Sequence, residues 1–121
     1  MSFTIPASAP LKFEFKRIGG AKMTMRIAVF KDPNTPQRKR VRLLFVGNVP
    51  QNPETPPPKS PLAAGDYQVV GVIMIEEAVN GAYNYEATLN GNVFAAREGD
   101  VNTSAGLDVE PFIHGDVFTV V

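Results

Sequence analysis

His114 is the only histidine in this chain of 121 residues, and Asp116 follows two positions later. On one strand the two side chains would share a face, which an imidazole–carboxylate pair requires. A nucleophile is not marked, because no serine sits in a GxSxG turn. Glu76 and Glu77 are adjacent, so on a strand they point to opposite faces and cannot flank one glycosidic bond. Asp108 and Glu110 share a face and read as solvated acids of an edge strand. Cysteine is absent, which excludes disulfides, thiolate catalysis and sulfur-ligated zinc. Gly19-Gly20-Ala21-Lys22 lacks the spacing of a phosphate-cradling loop. The expectation is a non-enzymatic protein without a resident cofactor.

Binding chemistry has more candidates. In DVNTSAGLDVE, Asp100, Asn102 and Ser104 carry the one-three-five spacing of calcium-ligand oxygens, with Asp108 following. The glycine and the closing glutamate fall one place off an EF-hand, so the segment reads equally as a loop of ordinary turn formers. Tyr83, Asn84, Tyr85, Asn90 and Asn92 offer rings and amides of the kind that stack on and hydrogen-bond a glycan. The stretch QRKRVRL gathers Arg38, Lys39, Arg40 and Arg42. Clustered cations suit phosphate or an acidic protein surface. Phe13, Phe15 and Phe45 fall on apolar faces and read as core, not as base-stacking platforms, so nucleic acid is the least favoured partner.

The elements that would position these residues are strands. Leu11, Phe13 and Phe15 alternate with Lys12, Glu14 and Lys16; Met23, Met25, Ile27 and Val29 alternate with Thr24 and Arg26. This period of two marks strands. The turn-forming Gly19-Gly20 between them predicts a hairpin. Val41, Leu43 and Phe45 alternate with Arg40, Arg42 and Leu44, which places Arg38, Arg40 and Arg42 on one side of a strand. Residues 48–61 hold six of the eleven prolines, and read as a stiff surface loop with PxxP spacings.

Asn80-Gly81 and Asn90-Gly91 follow β-like runs ten residues apart, and Asn-Gly favours a two-residue hairpin turn. Both together predict a meander over 67–79, 82–89 and 92–98. Counting across the turns puts Val72, Met74, Tyr83, Tyr85, Ala87, Leu89 and Phe94 on a core face. It puts Ile73, Ile75, Val79, Glu86, Val93 and Arg97 on the other, with Arg97 diagonal to Glu86. Apolar residues on that second face predict a cover or a neighbouring subunit. LDVEPFI, a turn at Gly115 and DVFTVV complete the count.

The fold expected is a single all-β domain over 1–121: an antiparallel β-sandwich or jelly-roll-like barrel of seven or eight strands. The opening MSFTIPASAPLKF has no basic segment followed by a long apolar one, so no cleavable signal is visible and a cytoplasmic location is expected. VVGVIMI is too short to span a bilayer as a helix.

Charge is unevenly distributed. Residues 1–60 hold eleven Lys or Arg and three Asp or Glu; residues 61–121 hold one and nine, although the formal net charge is zero. Basic strands beside acidic ones would cancel. Basic and acidic sides kept apart would support a homo-oligomer or a protein partner. The leading expectation is such an interaction or structural module, with Arg38, Lys39, Arg40 and Arg42 as basic contacts and Asp108, Glu110 and Asp116 as acidic ones. The alternative is a glycan-binding module, calcium-assisted or not.

Overall fold

A computed structural model describes residues 2–18, 21–50, 52–76, 82–100 and 109–121, with the side chains of 109 and 110 outside the description. Among the described residues there are eight strands and no helix: β1 Phe3–Ile5, β2 Phe13–Ile18, β3 Lys22–Lys31, β4 Lys39–Val49, β5 Gly65–Glu76, β6 Ala82–Leu89, β7 Asn92–Asp100 and β8 Val109–Val120. They form a five-stranded sheet in the order β1-β8-β5-β3-β4 and a three-stranded sheet in the order β2-β6-β7. The two sheets pack as a β-sandwich and do not close into a barrel. Neighbours are antiparallel except β1 with β8.

Alternation explains the core. Met23, Met25, Ile27 and Val29 of β3 and Tyr67, Val69, Ile73 and Ile75 of β5 point inward. Phe13 and Phe15 of β2 and Tyr83, Tyr85, Ala87 and Leu89 of β6 meet them from the other layer. Aromatic pairs bridge the layers: Phe13 with Phe45 at 6.4 Å between ring centres, and Tyr83 with Phe112 at 5.7 Å. Gly71 leaves room in this seam, since a Cβ there would stand 3.0 Å from Ile27 Cδ1 and 3.5 Å from Phe94.

Several expected pairings are replaced. The strands flanking Gly19-Gly20 exist, but they do not pair: β2 joins β6, while β3 lies between β4 and β5. Period two assigns a side chain to a face, not a strand to a layer, and both segments point apolar faces into one core from opposite sides. The same holds for β5 and β6, which belong to different sheets. The Asn80-Gly81 pair lies outside the described residues. A register counted across it does not apply, and the core face of β5 is Ile73 and Ile75, with Val72 and Met74 turned outward.

The second Asn-Gly turn is as expected. Asn90 has φ 48° and Gly91 φ 80°, both left-handed, and Leu89 opposes Asn92. One residue later the register shifts: Thr88 pairs with Val93 and Ala87 with Ala95, so Phe94 is an extra residue. This bulge buries both Phe94 and Ala95 and brings Arg97 opposite Tyr85, not diagonal to Glu86.

β4 is bulged twice, at Leu44 and at Val41. Leu44 is therefore buried while Leu43 is exposed, the reverse of the simple alternation. Asn48 and Val49 still belong to β4, so the proline-rich loop begins at Pro50. A backbone bridge from Leu11 to Lys59 pins its far side, with both hydrogen bonds at 2.9 Å. Gly115 makes no turn: β8 runs through it, paired along its length with β5. No helix among the described residues is long and apolar enough to cross a membrane.

Candidate functional site

Arg38, Lys39, Arg40 and Arg42 sit at and before the start of β4, an edge strand. The bulge at Val41 spreads them. The Arg38 guanidinium stacks over the Phe30 ring, 3.8 Å from its centre. Lys39 pairs in register with Lys31. Arg40 opposes Phe30 on the outward face. Arg42 opposes Val29, and its guanidinium donates to the Val41 carbonyl at 3.0 Å and to Ser60 Oγ at 3.2 Å. Arg40 and Arg42 thus do not share one face, because the bulge at Val41 between them reverses the alternation.

Arg40 instead meets Arg26 of β3, a cation that sequence reasoning did not group with it. With Ala28, Phe30, Val70 and Val72 they line a shallow concavity of about 540 Å³ on the outer face of the five-stranded sheet. That face continues with Met74, Val46, Ile113 and Val117, and Ile113 and Val46 are 76% and 63% exposed. Lys22 and Glu76, also outward, are 3.5 Å apart and neutralise each other. Among the described residues no ion pair is seen for Arg26 or Arg40, which stand in an apolar field.

Of the expected acidic contacts, only Asp116 has a described side chain. Asp108 is outside the described residues. Glu110 is described only by its backbone, which opposes Ile75. Asp116 opposes Val69, an inward-facing register position, so it is not on the outer face of its sheet. Four other acids occupy outward positions of the three-stranded sheet, Glu14 and Glu86 half-buried and Glu98 and Asp100 exposed, while Asp66 is an exposed acid of the five-stranded sheet. Lys16 opposes Glu86, and Lys12 lies 3.8 Å from Glu14, which offsets part of this charge. Ile18 and Val93 are exposed on the same face.

The tyrosines and amides weighed for a glycan are used internally. Tyr83 and Tyr85 are 6% and 1% exposed. Asn84 donates to Glu98 at 3.3 Å. The Asn90 side chain accepts from Lys12 N at 2.8 Å and donates to the Pro10 carbonyl at 2.9 Å. Asn92 donates to the carbonyls of Leu89 and Asn90. Of the calcium candidates, Asp100 ends β7 and is exposed, while Asn102, Ser104 and Asp108 lie outside the described residues. Among the described residues no three His, Asp or Glu side chains gather as metal ligands.

His114 faces inward and joins the layers. Its Nε2 lies 2.6 Å from the Tyr85 hydroxyl. Burial, and secondly Arg97, push the imidazole below its ordinary range. Burial pushes the Tyr85 hydroxyl up to about 12, against a smaller opposing effect of Arg97. The pair is thus a protonated phenol hydrogen-bonded to an imidazole whose charged form is disfavoured. Such a pair ties two sheets together and supplies no activated nucleophile.

No family model, curated protein or solved structure matches the chain. The two outer faces differ in character: Arg26 and Arg40 stand among apolar side chains on one, and Glu98 and Asp100 are exposed on the other.

Proposed function

We propose that this protein is a non-enzymatic interaction module that self-associates. The outer face of the five-stranded sheet in one copy sits on the outer face of the three-stranded sheet in the next. The observation carrying this reading is the separation of charge: Arg26 and Arg40 within an exposed apolar face, and Glu14, Glu86, Glu98 and Asp100 on the opposite face. Two copies joined through the same basic face would set arginine against arginine. Joining unlike faces removes that repulsion and generates an open stack.

Edge-to-edge pairing is less favoured. β4 is charged at its start and bulged twice, devices that protect an edge strand, and β1 is only three residues long. The contact area sets the strength. Three strands about 4.8 Å apart and about 30 Å long offer roughly 400 Å² per partner, which is the range of weak, reversible association.

Sedimentation velocity over a concentration series tests this. The weight-average mass is expected to rise with concentration at low salt and to fall toward the monomer at high salt, where screening shortens to about 3 Å at 1 M. A strict monomer at millimolar concentration and low salt would remove the proposal.

A further inference from the structure

A second site lies away from both outer faces, at the side of the sandwich where the edges of β2 and β4 meet. Phe13 and Phe15 from one sheet and Met25 and Phe45 from the other form its apolar floor. The proline-rich segment crosses above, and Pro50, Pro53, Pro56 and Pro57 form the roof. The cavity between them is about 460 Å³. That lies within the range of roughly 300–1,000 Å³ found for small-molecule sites.

The roof is held at both ends. On one side it continues from β4, where the Val49 carbonyl accepts from Arg17 Nη1 at 2.8 Å. On the other it is bonded through Lys59 to Leu11. Proline has no backbone N–H and a fixed φ, so this roof is apolar and stiff. Its rigidity lowers the ordering cost of binding.

Among the described residues lining it, the polar side chains are Asn48, Asn52, Glu54 and Thr55. Glu54 is the one charged side chain among the described residues lining the cavity. It is exposed, and among the described residues it makes no ion pair. An anionic head group would meet its carboxylate with like charge; an ammonium would meet it with opposite charge, beside amide and hydroxyl acceptors.

We propose that this cavity binds a small aromatic amine, its ring between the phenylalanines and the prolines and its ammonium at Glu54. The site stands on different residues from the proposed self-association and does not depend on it.

The chain contains no tryptophan, so indole fluorescence reports a bound probe alone. Three probes share the indole ring and differ in the head: tryptamine, tryptophol and indole-3-acetate. Titrating full-length protein into each at low salt, read by anisotropy, should give saturable binding of tryptamine. Tryptophol should bind two- to fivefold more weakly, in keeping with an exposed ion pair, and indole-3-acetate about tenfold more weakly than tryptamine. E54Q, a surface change, should bring tryptamine to the level of tryptophol and leave tryptophol unchanged. Amide shifts on adding tryptamine should concentrate at Asn48, Asn52 and Thr55. Absence of saturable tryptamine binding, equal binding of amine and acid, insensitivity to E54Q, or shifts centred elsewhere would each overturn the proposal.

Discussion

Arg17 and His114 are both polar groups at inward strand positions, and each hydrogen-bonds across the gap between the sheets. The Arg17 guanidinium donates to the carbonyls of Val49 and Ala21, holding β2 to the end of β4 and the start of β3. Burial lowers its pKa from the ordinary value. His114 is held by its hydrogen bond to the Tyr85 hydroxyl, and burial disfavours its charged form. Its folded pKa lies below the ordinary 6.5, so the unfolded chain binds the proton more readily. Stability from this group is complete above about pH 6.5 and is lost as pH falls through the lower folded value. Thermal unfolding between pH 7 and 4 should show this loss, and His114→Asn should flatten that part of the profile. An unchanged profile in the variant would show that burial does not hold the ring neutral. The isolated histidine was visible in the sequence, but its partner was not, since Tyr85 lies 29 positions away on a strand of the other sheet.

At the scale of elements, strands were legible and their partners less so. The β6–β7 hairpin was readable because its turn is local: Asn90 and Gly91 adopt the left-handed conformations that their types tolerate. Asn90 does more than turn the chain, since its amide clamps the residues before β2. Gly91→Ala should cost about 1 kcal/mol through the left-handed penalty alone. Asn90→Ala should cost about 2 kcal/mol, because two hydrogen bonds are lost with it. Urea unfolding of the two variants checks the order, and the reverse order would refute the clamp. The bulges at Val41, Leu44 and Phe94 were not legible. A bulge leaves period two intact on either side and changes only the phase, which no local pattern records.

Across the whole molecule, the basic first half and acidic second half do not each build a sheet. Strands of both halves enter both sheets, and yet the two outer faces still differ, with Arg26 and Arg40 outward on one sheet and Glu86 and Glu98 outward on the other. Charge reversal tests the stacking of unlike faces. R26E/R40E makes both faces acidic, and E86K/E98K makes both basic, so neither should associate alone at low salt. An equimolar mixture should associate again, because each reversed face then meets its complement. Association of either variant by itself, or its absence in the mixture, would refute a contact between opposite faces.

The order of apolar and polar residues was enough to establish an all-β chain, the inward faces of β2, β3 and β6, the Asn90-Gly91 turn and the proline-rich segment. Each of these depends on backbone preference or on burial within a few neighbouring positions. The layer to which each strand belongs, the phase shifts at the bulges, the partners of Arg17 and His114 and the cavity beneath the prolines were decided by packing. They depend on which distant strands share a sheet, and a period of two is the same whichever neighbour a strand acquires.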